Sequence, residues 1–238
     1  MKQTLLFILV IFFAIACKTT VPATSVSSGS FSNSDTLITQ SLFNDRNASV
    51  SEENIQKILD GTYHLPAQLR VAIIRLEGNG QQKSYYWNYR SDEQYLKTQQ
   101  SYLDLFIEKF KQSPRVTNVS IIPELLISKS PSFTNIREAA VRMQADIVVV
   151  YSVSSDLYAK YKFFSKADIK AFATTQLIVL DVRTGLIPFS AIVTKDALSQ
   201  KTKEELDNTE AAGRIQHDAV LLTINDIGGK ISGFLNGK

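Results

Sequence analysis

Residues 145–153 read ADIVVVYSV, and this stretch decides the fold. Ile147–Val153 is a continuous apolar run rich in β-branched residues, which is typical of a central strand buried on both faces of a sheet. Before it, Asn135–Gln144 carries apolar side chains at helical spacing, and Asn135 and Glu138 stand at capping-box spacing. After it, Ala171–Val182 and Ile187–Lys195 read as two further strands joined by a turn in which Gly185 is suited to a positive φ.

The remainder of the chain continues this alternation. The pattern predicts further helices from Ser51, from Ser91 to about Gln112 and over about Thr209–Leu235, and further strands at Leu69–Leu76 and Val116–Ile122. In the second of these helices we expect one buried apolar stripe, formed by Leu96, Leu103, Phe106, Ile107 and Phe110. The predicted order is α, β, α, β, α, β, β, β, α. Early strands alternate with helices and a meander follows, so we expect a single α/β domain, three-layer-like, with a mixed β-sheet packed by helices. Gly228-Gly229 either breaks the last helix or allows a close backbone approach.

Composition excludes several classes of protein. The chain has 238 residues, a net charge of +3 and 44% hydrophobic residues, which excludes disorder of the whole chain. A single cysteine can form neither an intramolecular disulfide nor a cysteine-rich zinc or iron–sulfur site. The mild positive charge does not indicate a nucleic-acid partner. We expect no cofactor and no metal.

The N-terminus has the features of an export signal. Lys2 is followed by the apolar run Leu5–Ala16, which is too short to span a bilayer and fits the hydrophobic region of a signal peptide. The run ends in Ala14-Ile15-Ala16-Cys17, which resembles the lipobox of bacterial lipoproteins, with Ala14 in place of the more usual leucine. That resemblance implies cleavage before Cys17 and acylation (palmitate) of its sulfur and new amine. An ordinary secretory signal with an incidental cysteine and an uncleaved anchor are the alternatives.

The predicted organisation is a signal peptide at 1–16, a lipid-anchored flexible tether at 17–50 and a globular domain at 51–238. The tether is rich in Ser, Thr, Gly and Pro and has little to bury. Lys18 stands where an Asp would signal retention in the inner membrane under the enterobacterial rule. We therefore expect a lipoprotein of the outer membrane that faces the periplasm.

Two motifs of the sheet carry a resemblance to a known family. Ala145–Val150, followed by Leu180–Gly185 and then Ile187–Ser190, resembles the core of Gram-negative envelope lipoproteins. That family includes the curli secretion channel lipoprotein CsgG, the penicillin-binding-protein activator LpoB and the TolB N-terminal domain fold. The resemblance implies a compact α/β domain that binds other envelope proteins, and it identifies no active site. The connection from about Ser155 to Ala171 contains several lysines, which argues against a membrane-spanning strand of a channel. Within it, we expect residues 160–164 to be a solvated hairpin or loop.

Residues with catalytic potential are few. No H-E-x-x-H, G-x-S-x-G or P-loop motif is present. Asp146 and Asp181 could form a carboxylate pair, although we expect Asp181 at the end of a strand and Asp146 at the junction of a helix and a strand. His64 and His217 are the only histidines, and we expect each to be solvated or to cap a helix.

The strongest candidate for binding a partner is an aromatic segment. Tyr85–Tyr89 reads YYWNY and is followed by Arg90, and Tyr, Trp and Arg are enriched in interface hot spots. On a strand, Tyr86 and Arg90 would share one face and Trp87 would lie on the other, so a strand that buries alternate rings is the competing interpretation. Tyr86, Trp87 and Arg90 are our candidate partner-binding residues.

Three functional hypotheses follow from the sequence. The first is a non-catalytic interaction or assembly factor of the cell envelope, held on the membrane by a lipid anchor and bound to an unidentified envelope protein, without nucleic acid. The second is a subunit of a CsgG-like secretion channel. The third is a hydrolase of cell-wall or glycan substrates that uses carboxylates in no recognised motif.

Overall fold

The strands of the main sheet run in the spatial order β4-β3-β5-β6-β7. The computed structural model describes residues 36–37, 50–76, 92–127, 131–162 and 165–237. All of them belong to one unit, Asp35–Lys238. The helices are α1 Glu52–Leu59, α2 Asp92–Lys111, α3 Phe133–Arg142 and α4 Asn208–Leu235, and the strands are β1 Thr36–Leu37, β2 Gly61–Thr62, β3 Leu69–Arg75, β4 Val116–Ile121, β5 Ile147–Lys162, β6 Ser165–Asp181 and β7 Phe189–Gln200.

The sheet is mixed, as the element order predicts. β3 pairs in parallel with both β4 and β5, whereas β5, β6 and β7 form an antiparallel meander. A short parallel pair, β1 with β2, forms a separate two-stranded sheet, and Glu124–Leu126 is a turn of 3₁₀ helix. The predicted α/β class with helices packed on a mixed sheet is therefore the observed fold.

Two apolar layers lie on opposite faces of the sheet because successive residues of a strand point to opposite sides. On the first face, Val71, Ile147 and Val149 pack with the ring of Phe106 from α2 and with Ile224 from α4. The second face is covered by α3 over only part of its area. The buried residues of this second layer are Ala72, Ile74, Ile122, Ile136, Ala139, Ala140, Ala145, Val148, Val150, Leu180 and Val182. The first layer is therefore larger than the second among the described residues.

The β5–β6 hairpin is longer than the sequence suggested. We expected β5 to end near Val153 and β6 to begin near Ala171, but the two strands remain paired out to Lys162 and Ser165. Of the two alternatives that the sequence left open, the connection is a hairpin, and its strands are longer than predicted because this segment alternates polar and apolar residues, so one of its faces is buried. Ile169 is 2% exposed and Ala171 fully buried, while Asp156 and Tyr158 face solvent.

Helix α3 begins two residues earlier than predicted. Its N-cap is Ser132, whose side chain accepts a hydrogen bond from the backbone N–H of Asn135. Ile136 and Ala140 face the sheet as expected, and Met143, the C-cap residue, packs against the same layer. In α2, Phe106 and Phe110 are buried as expected, but the prediction for Leu96 was wrong, because its side chain is 63% exposed.

Helix α4 continues through Gly228-Gly229 without a break. A Cβ atom added at Gly228 would lie 2.8 Å from both Cγ and Cδ of Lys109 on α2, whereas one at Gly229 would meet nothing within 4 Å. Of the two alternatives that the sequence left open, the structure shows the close approach of two helices.

Candidate functional site

The residues that the sequence singled out for lipidation and partner binding lie outside the described part of the structure. These are Cys17, Tyr86, Trp87 and Arg90. Their proposed roles therefore stay predictions.

Asp146 forms the centre of a charged cluster at one end of the sheet. It lies just before β5 and is 7% exposed. Its Oδ2 accepts hydrogen bonds from the backbone N–H and the Nε of Arg70, both at 3.0 Å, and its Oδ1 accepts one from an Arg70 terminal nitrogen at 2.9 Å. Arg183 donates a further bond to Oδ1 at 3.1 Å. Sequence reasoning placed Asp146 at the junction of a helix and a strand but missed Arg70, its main partner.

These contacts determine the pKa of the Asp146 carboxyl group. The hydrogen bonds from Arg70 lower its pKa to about 2, although burial acts in the opposite direction. The carboxylate is consequently ionised at neutral pH and cannot serve as a general acid there. Its role is to join the start of β3 to the start of β5 and to the turn after β6.

Asp181 organises that turn. It pairs with Ile147 across the two strands, so its position at the end of β6 is the one predicted. Its Oδ1 accepts bonds from the backbone N–H of Thr184 at 2.7 Å and from the Thr184 hydroxyl at 2.8 Å, while Tyr63 donates to Oδ2 at 3.0 Å. Gly185 has φ +78°, the positive value that the sequence predicted for this turn.

The surroundings of Tyr63 are those of a structural hydroxyl. Burial, and then the neighbouring Asp181 carboxylate, raise the pKa of Tyr63 above its ordinary value, so the phenol stays protonated. Arg137 of α3 donates to the carbonyls of Val182 and Arg183 at 2.5 and 2.8 Å and holds the other side of the turn. Within the described residues, this strand-end cluster is a closed network of internal bonds.

The two histidines lie far apart in the fold. His64 is exposed between β2 and β3, as expected. His217 lies on α4, half-buried, with its ring stacked on Tyr102 of α2 at 5.2 Å between centroids. Its Nδ1 is 3.1 Å from the Tyr102 hydroxyl oxygen. His217 thus belongs to the contact between α2 and α4, rather than to solvent or a helix cap.

A second surface lies on the extended part of the β5–β6 hairpin, beyond the strand ends that the sequence predicted. Where α3 ends, the second face of β5, β6 and β7 is left open to solvent. We call this surface the open face, and its residues are Ser154, Asp156 and Tyr158 of β5, Lys170, Phe172, Thr174 and Gln176 of β6, and Ile192, Thr194, Asp196 and Leu198 of β7. The alternation of residues 153–158 and 168–176 is the signal that could have revealed it.

Cross-strand contacts hold the open face in a defined arrangement. Tyr158 and Phe172 meet edge to face with centroids 5.6 Å apart, and the Lys170 ammonium lies 4.6 Å from the Phe172 centroid. Lys170 also forms an ion pair with Asp196 at 3.1 Å. The Thr174 and Thr194 hydroxyls are hydrogen-bonded at 2.9 Å. The surface therefore presents aromatic, charged and hydroxyl groups whose positions are fixed before any partner binds.

The outer strand of the open face also exposes large apolar side chains. Ile192 is 68% exposed and Leu198 is 67% exposed, both on β7. Tyr158 on β5 is 56% exposed. Single exposed apolar residues are ordinary, but three of them on one continuous sheet face make a candidate for protein binding.

Two features of other kinds of site are absent from the described residues. That part of the chain holds no group of three or more His, Cys, Asp or Glu side chains able to hold a metal ion. Nor does any helix there combine the length and apolar character needed to cross a membrane.

Comparisons with known proteins give only distant structural likenesses. No protein-family model matches the sequence, and no curated protein sequence matches it. The fold is similar to a hypothetical protein from Chlamydia trachomatis, with TM-score 0.42, 13% identity and coverage of 72% of this chain and 100% of the other. It is also similar to a protein from Helicobacter pylori described as a neuraminyllactose-binding hemagglutinin homolog, with TM-score 0.47, 14% identity and coverage of 73% and 95%.

A minor lipoprotein from Acinetobacter baumannii is a third example, with TM-score 0.33, 10% identity and coverage of 71% of this chain and 94% of the other. None of these likenesses assigns a function to this chain, because each combines a low TM-score with low identity.

Proposed function

We propose that the protein is a non-catalytic interaction or assembly factor of the bacterial envelope, anchored by lipid at Cys17 to the outer membrane and facing the periplasm. The observation that carries the interaction role is the open face of β5, β6 and β7. It is an exposed, ordered sheet surface that bears aromatic and apolar side chains together with paired charges.

The composition of the open face indicates the chemistry of its partner. Lys170 is ion-paired with Asp196 and Asp156 adds one more carboxylate, so the face carries both signs of charge and only a small net charge. A surface of this kind fits a protein patch that is apolar at its centre and polar at its rim, rather than a strongly charged polymer. The Tyr158 and Phe172 rings already contact each other, so little side-chain freedom is lost when a partner covers them.

The flatness of a sheet also favours a macromolecular partner. Small-molecule sites are concave and enclose most of their ligand. The open face instead offers side chains from three adjacent strands on one surface, and a protein partner can contact them together. Tyr86, Trp87 and Arg90 remain further candidate partner-binding residues, predicted from the sequence alone.

The proposed location rests on the sequence of the N-terminus. Leu5–Ala16 followed directly by Cys17 resembles a lipoprotein processing site, and residues 17–50 supply a tether rich in Ser and Thr. Several acyl chains, each stabilised by roughly 0.8 kcal/mol per buried CH₂, would hold the protein on a membrane. The resemblance of Ala145–Val150 and Leu180–Gly185 to envelope lipoproteins supports the same setting.

Site-specific photocrosslinking in the living source bacterium tests the interaction role. A photoreactive phenylalanine derivative replaces Tyr158 in the full chain, and a matched control carries it at Leu59 of α1, which is 73% exposed. We expect the Tyr158 position, and not the Leu59 position, to form an adduct with one envelope protein identified by mass spectrometry. The added change Phe172→Ala should remove that adduct. Equal labelling from both positions, or no adduct with another protein, would contradict the proposed role.

Mass spectrometry of the mature N-terminus tests the anchor separately. We expect the chain to begin at Cys17 and to carry acyl groups, and we expect Cys17→Ser to release the protein from the membrane fraction. An unmodified Cys17 would remove the anchor from the proposal and leave the interaction role to be judged by crosslinking.

A further inference from the structure

Strand β7 forms one edge of the main sheet. It is 12 residues long, which corresponds to roughly 40 Å of extended chain. Among the described residues, its only strand partner is β6. A long edge strand presents a row of backbone N–H and C=O groups that can pair with another chain.

The usual features that prevent edge pairing are almost all missing from β7. The strand contains no proline, since Pro188 precedes it, and its register with β6 runs without a shift from Phe189 to Gln200. The one charge that points toward the helical side is Lys195, and its ammonium forms an ion pair with Asp226 of α4 at 2.6 Å. The charge that could repel a neighbouring strand is thus already neutralised.

The exposed residues of β7 are arranged symmetrically. Ile192 and Leu198 lie three positions before and three positions after Lys195, on the same open face, and are exposed to almost the same extent. An antiparallel strand pair related by a two-fold axis at Lys195 would place each Ile192 directly opposite the Leu198 of the other copy. It would also place Thr194 opposite Asp196, where a hydroxyl can donate to a carboxylate.

We propose that two copies of this chain pair through β7, antiparallel and in the register centred on Lys195, to form one continuous sheet. The neighbouring register, centred on Thr194, would set Ile192 against a carboxylate at Asp196 and Leu198 against Ser190. Only the Lys195-centred register buries the exposed apolar side chains against each other, so the side chains select it.

The geometry of this pairing has two consequences. The two-fold axis is perpendicular to the sheet, so both α4 helices lie on one side and both open faces join on the other. The two Lys195 side chains face each other at the axis, each ion-paired with its own Asp226 at 2.6 Å. The other oxygen of each Asp226 lies 3.8 Å from Lys230 of the same helix. The self-pairing uses the edge of β7, so it does not depend on the partner that we propose for the open face.

Disulfide trapping in membranes tests both the pairing and its register. The double variant Ile192→Cys/Leu198→Cys places two thiols in the same chain about 20 Å apart, too far to bridge each other. In the proposed pair, each thiol faces its counterpart on the second copy at a Cα separation of about 5 Å, within the disulfide range. We expect most of the double variant to run as a disulfide-linked dimer on a non-reducing gel after mild oxidation.

Three controls accompany the double variant. The parent chain reports any bridging through Cys17. The single variant Ile192→Cys would place the introduced thiols of the two copies about 20 Å apart in the proposed register. Thr194→Cys reports the register centred on Thr194. None of the three should form dimers. Dimers only from Thr194→Cys would overturn the register, and no dimers from any variant would overturn the pairing.

Light scattering of the full chain extracted in detergent gives an independent measure of mass. We expect the mass of a dimer for the parent protein, and we expect Ile192→Lys to weaken association by on the order of tenfold, because it places a charge against Leu198 at both symmetric positions. Because Ile192 is exposed in the single chain, this variant should keep its fold, which circular dichroism checks. A monomer in the parent protein would overturn the proposal, whatever the photocrosslinking at Tyr158 shows.

Discussion

Replacement of Asp146 with asparagine removes one negative charge while keeping the size of the side chain. In the structure, Asp146 accepts three hydrogen bonds from Arg70, at 2.9–3.0 Å, and one from Arg183 at 3.1 Å. An asparagine offers one acceptor oxygen and turns an NH₂ group toward the remaining donors. The variant therefore loses both charge and acceptor capacity where the ends of β3, β5 and β6 meet.

The size of the effect follows from the exposure of the partners. Breaking a fully buried ion pair by removing one partner costs about 3–5 kcal/mol. Here the side chains of Arg70 and Arg183 are 44% and 66% exposed, so water can solvate them once the carboxylate is gone. We therefore expect Asp146→Asn to lower the free energy of unfolding by about 2 kcal/mol at neutral pH.

The same site gives a pH dependence with a definite sign. The pKa of Asp146 is lowered to about 2 in the folded protein, against about 3.9 for an unfolded chain. A lowered pKa contributes stability above the unfolded value, and that contribution disappears as the pH falls from about 4 to about 2. After allowance for screening by water, it amounts to about 1–2 kcal/mol. The difference between wild type and Asp146→Asn should shrink over this range.

Urea unfolding of the full chain, followed by circular dichroism at pH 7 and at pH 2.5, measures these quantities. Asp196→Asn is the matched control, because its ion pair with Lys170 is on the surface, with the two side chains 53% and 41% exposed. We expect the control to change stability by about 0.5 kcal/mol or less at either pH. Equal losses for the two variants at pH 7, or a loss for Asp146→Asn that does not change with pH, would refute the assignment of Asp146 as the charged junction.

Two further pairs of variants test the packing of α4. Gly229→Ala should raise the free energy of unfolding by about 0.5–1 kcal/mol because alanine favours a helix more than glycine does. Gly228→Ala should lose that gain because its methyl group would contact Lys109. Equal shifts in thermal midpoint would show that α2 has room for the methyl group. The buried Thr175 and Thr223 hydroxyls lie 2.6 Å apart, and Thr223 also donates to the Val220 carbonyl, so Thr175 is the donor of the pair. Thr175→Val should cost about 1 kcal/mol in urea unfolding and Thr223→Val more, because the latter leaves the Thr175 hydroxyl buried without its acceptor.

The order of the helices and strands could be predicted because the strongest signals in this sequence are local. Ile147–Val153 is apolar on both faces of a strand, and the turn at Thr184-Gly185 needs the positive φ that glycine supplies. Both signals lie within a few neighbouring residues, so no knowledge of the tertiary structure was needed to read them.

The full length of the β5–β6 hairpin was missed for an equally physical reason. Asp156, Tyr158 and Lys170 break the apolar run, and a half-exposed strand resembles a loop when only its hydrophobicity is considered. The alternation with Leu157, Ile169 and Ala171 carries the strand signal instead. The open face lies on this segment and was therefore missed with it.

The charged cluster shows the limit of local patterns. Asp146 was placed correctly between a helix and a strand, and Asp181 at a strand end, but Arg70 is 76 residues from Asp146 in the chain. Nothing near either residue in sequence indicates the other, because the pairing is created by the parallel contact of β3 with β5. The burial of Leu96 was predicted wrongly for a related reason. The buried part of the apolar stripe of α2 begins at Tyr102, where the helix meets α4.

The mixed topology of the sheet also imposes an order on folding. The antiparallel meander of β5, β6 and β7 and the helix α4 that packs on it are consecutive in the chain, so their contacts close short loops. β3 precedes β5 in the chain, and it can pair with β5 only once that strand is also present. Until then, its fully apolar segment Val71–Ile74 has no partner and is prone to wrong association. We therefore expect the C-terminal half to fold first and β3 and β4 to join the sheet afterwards.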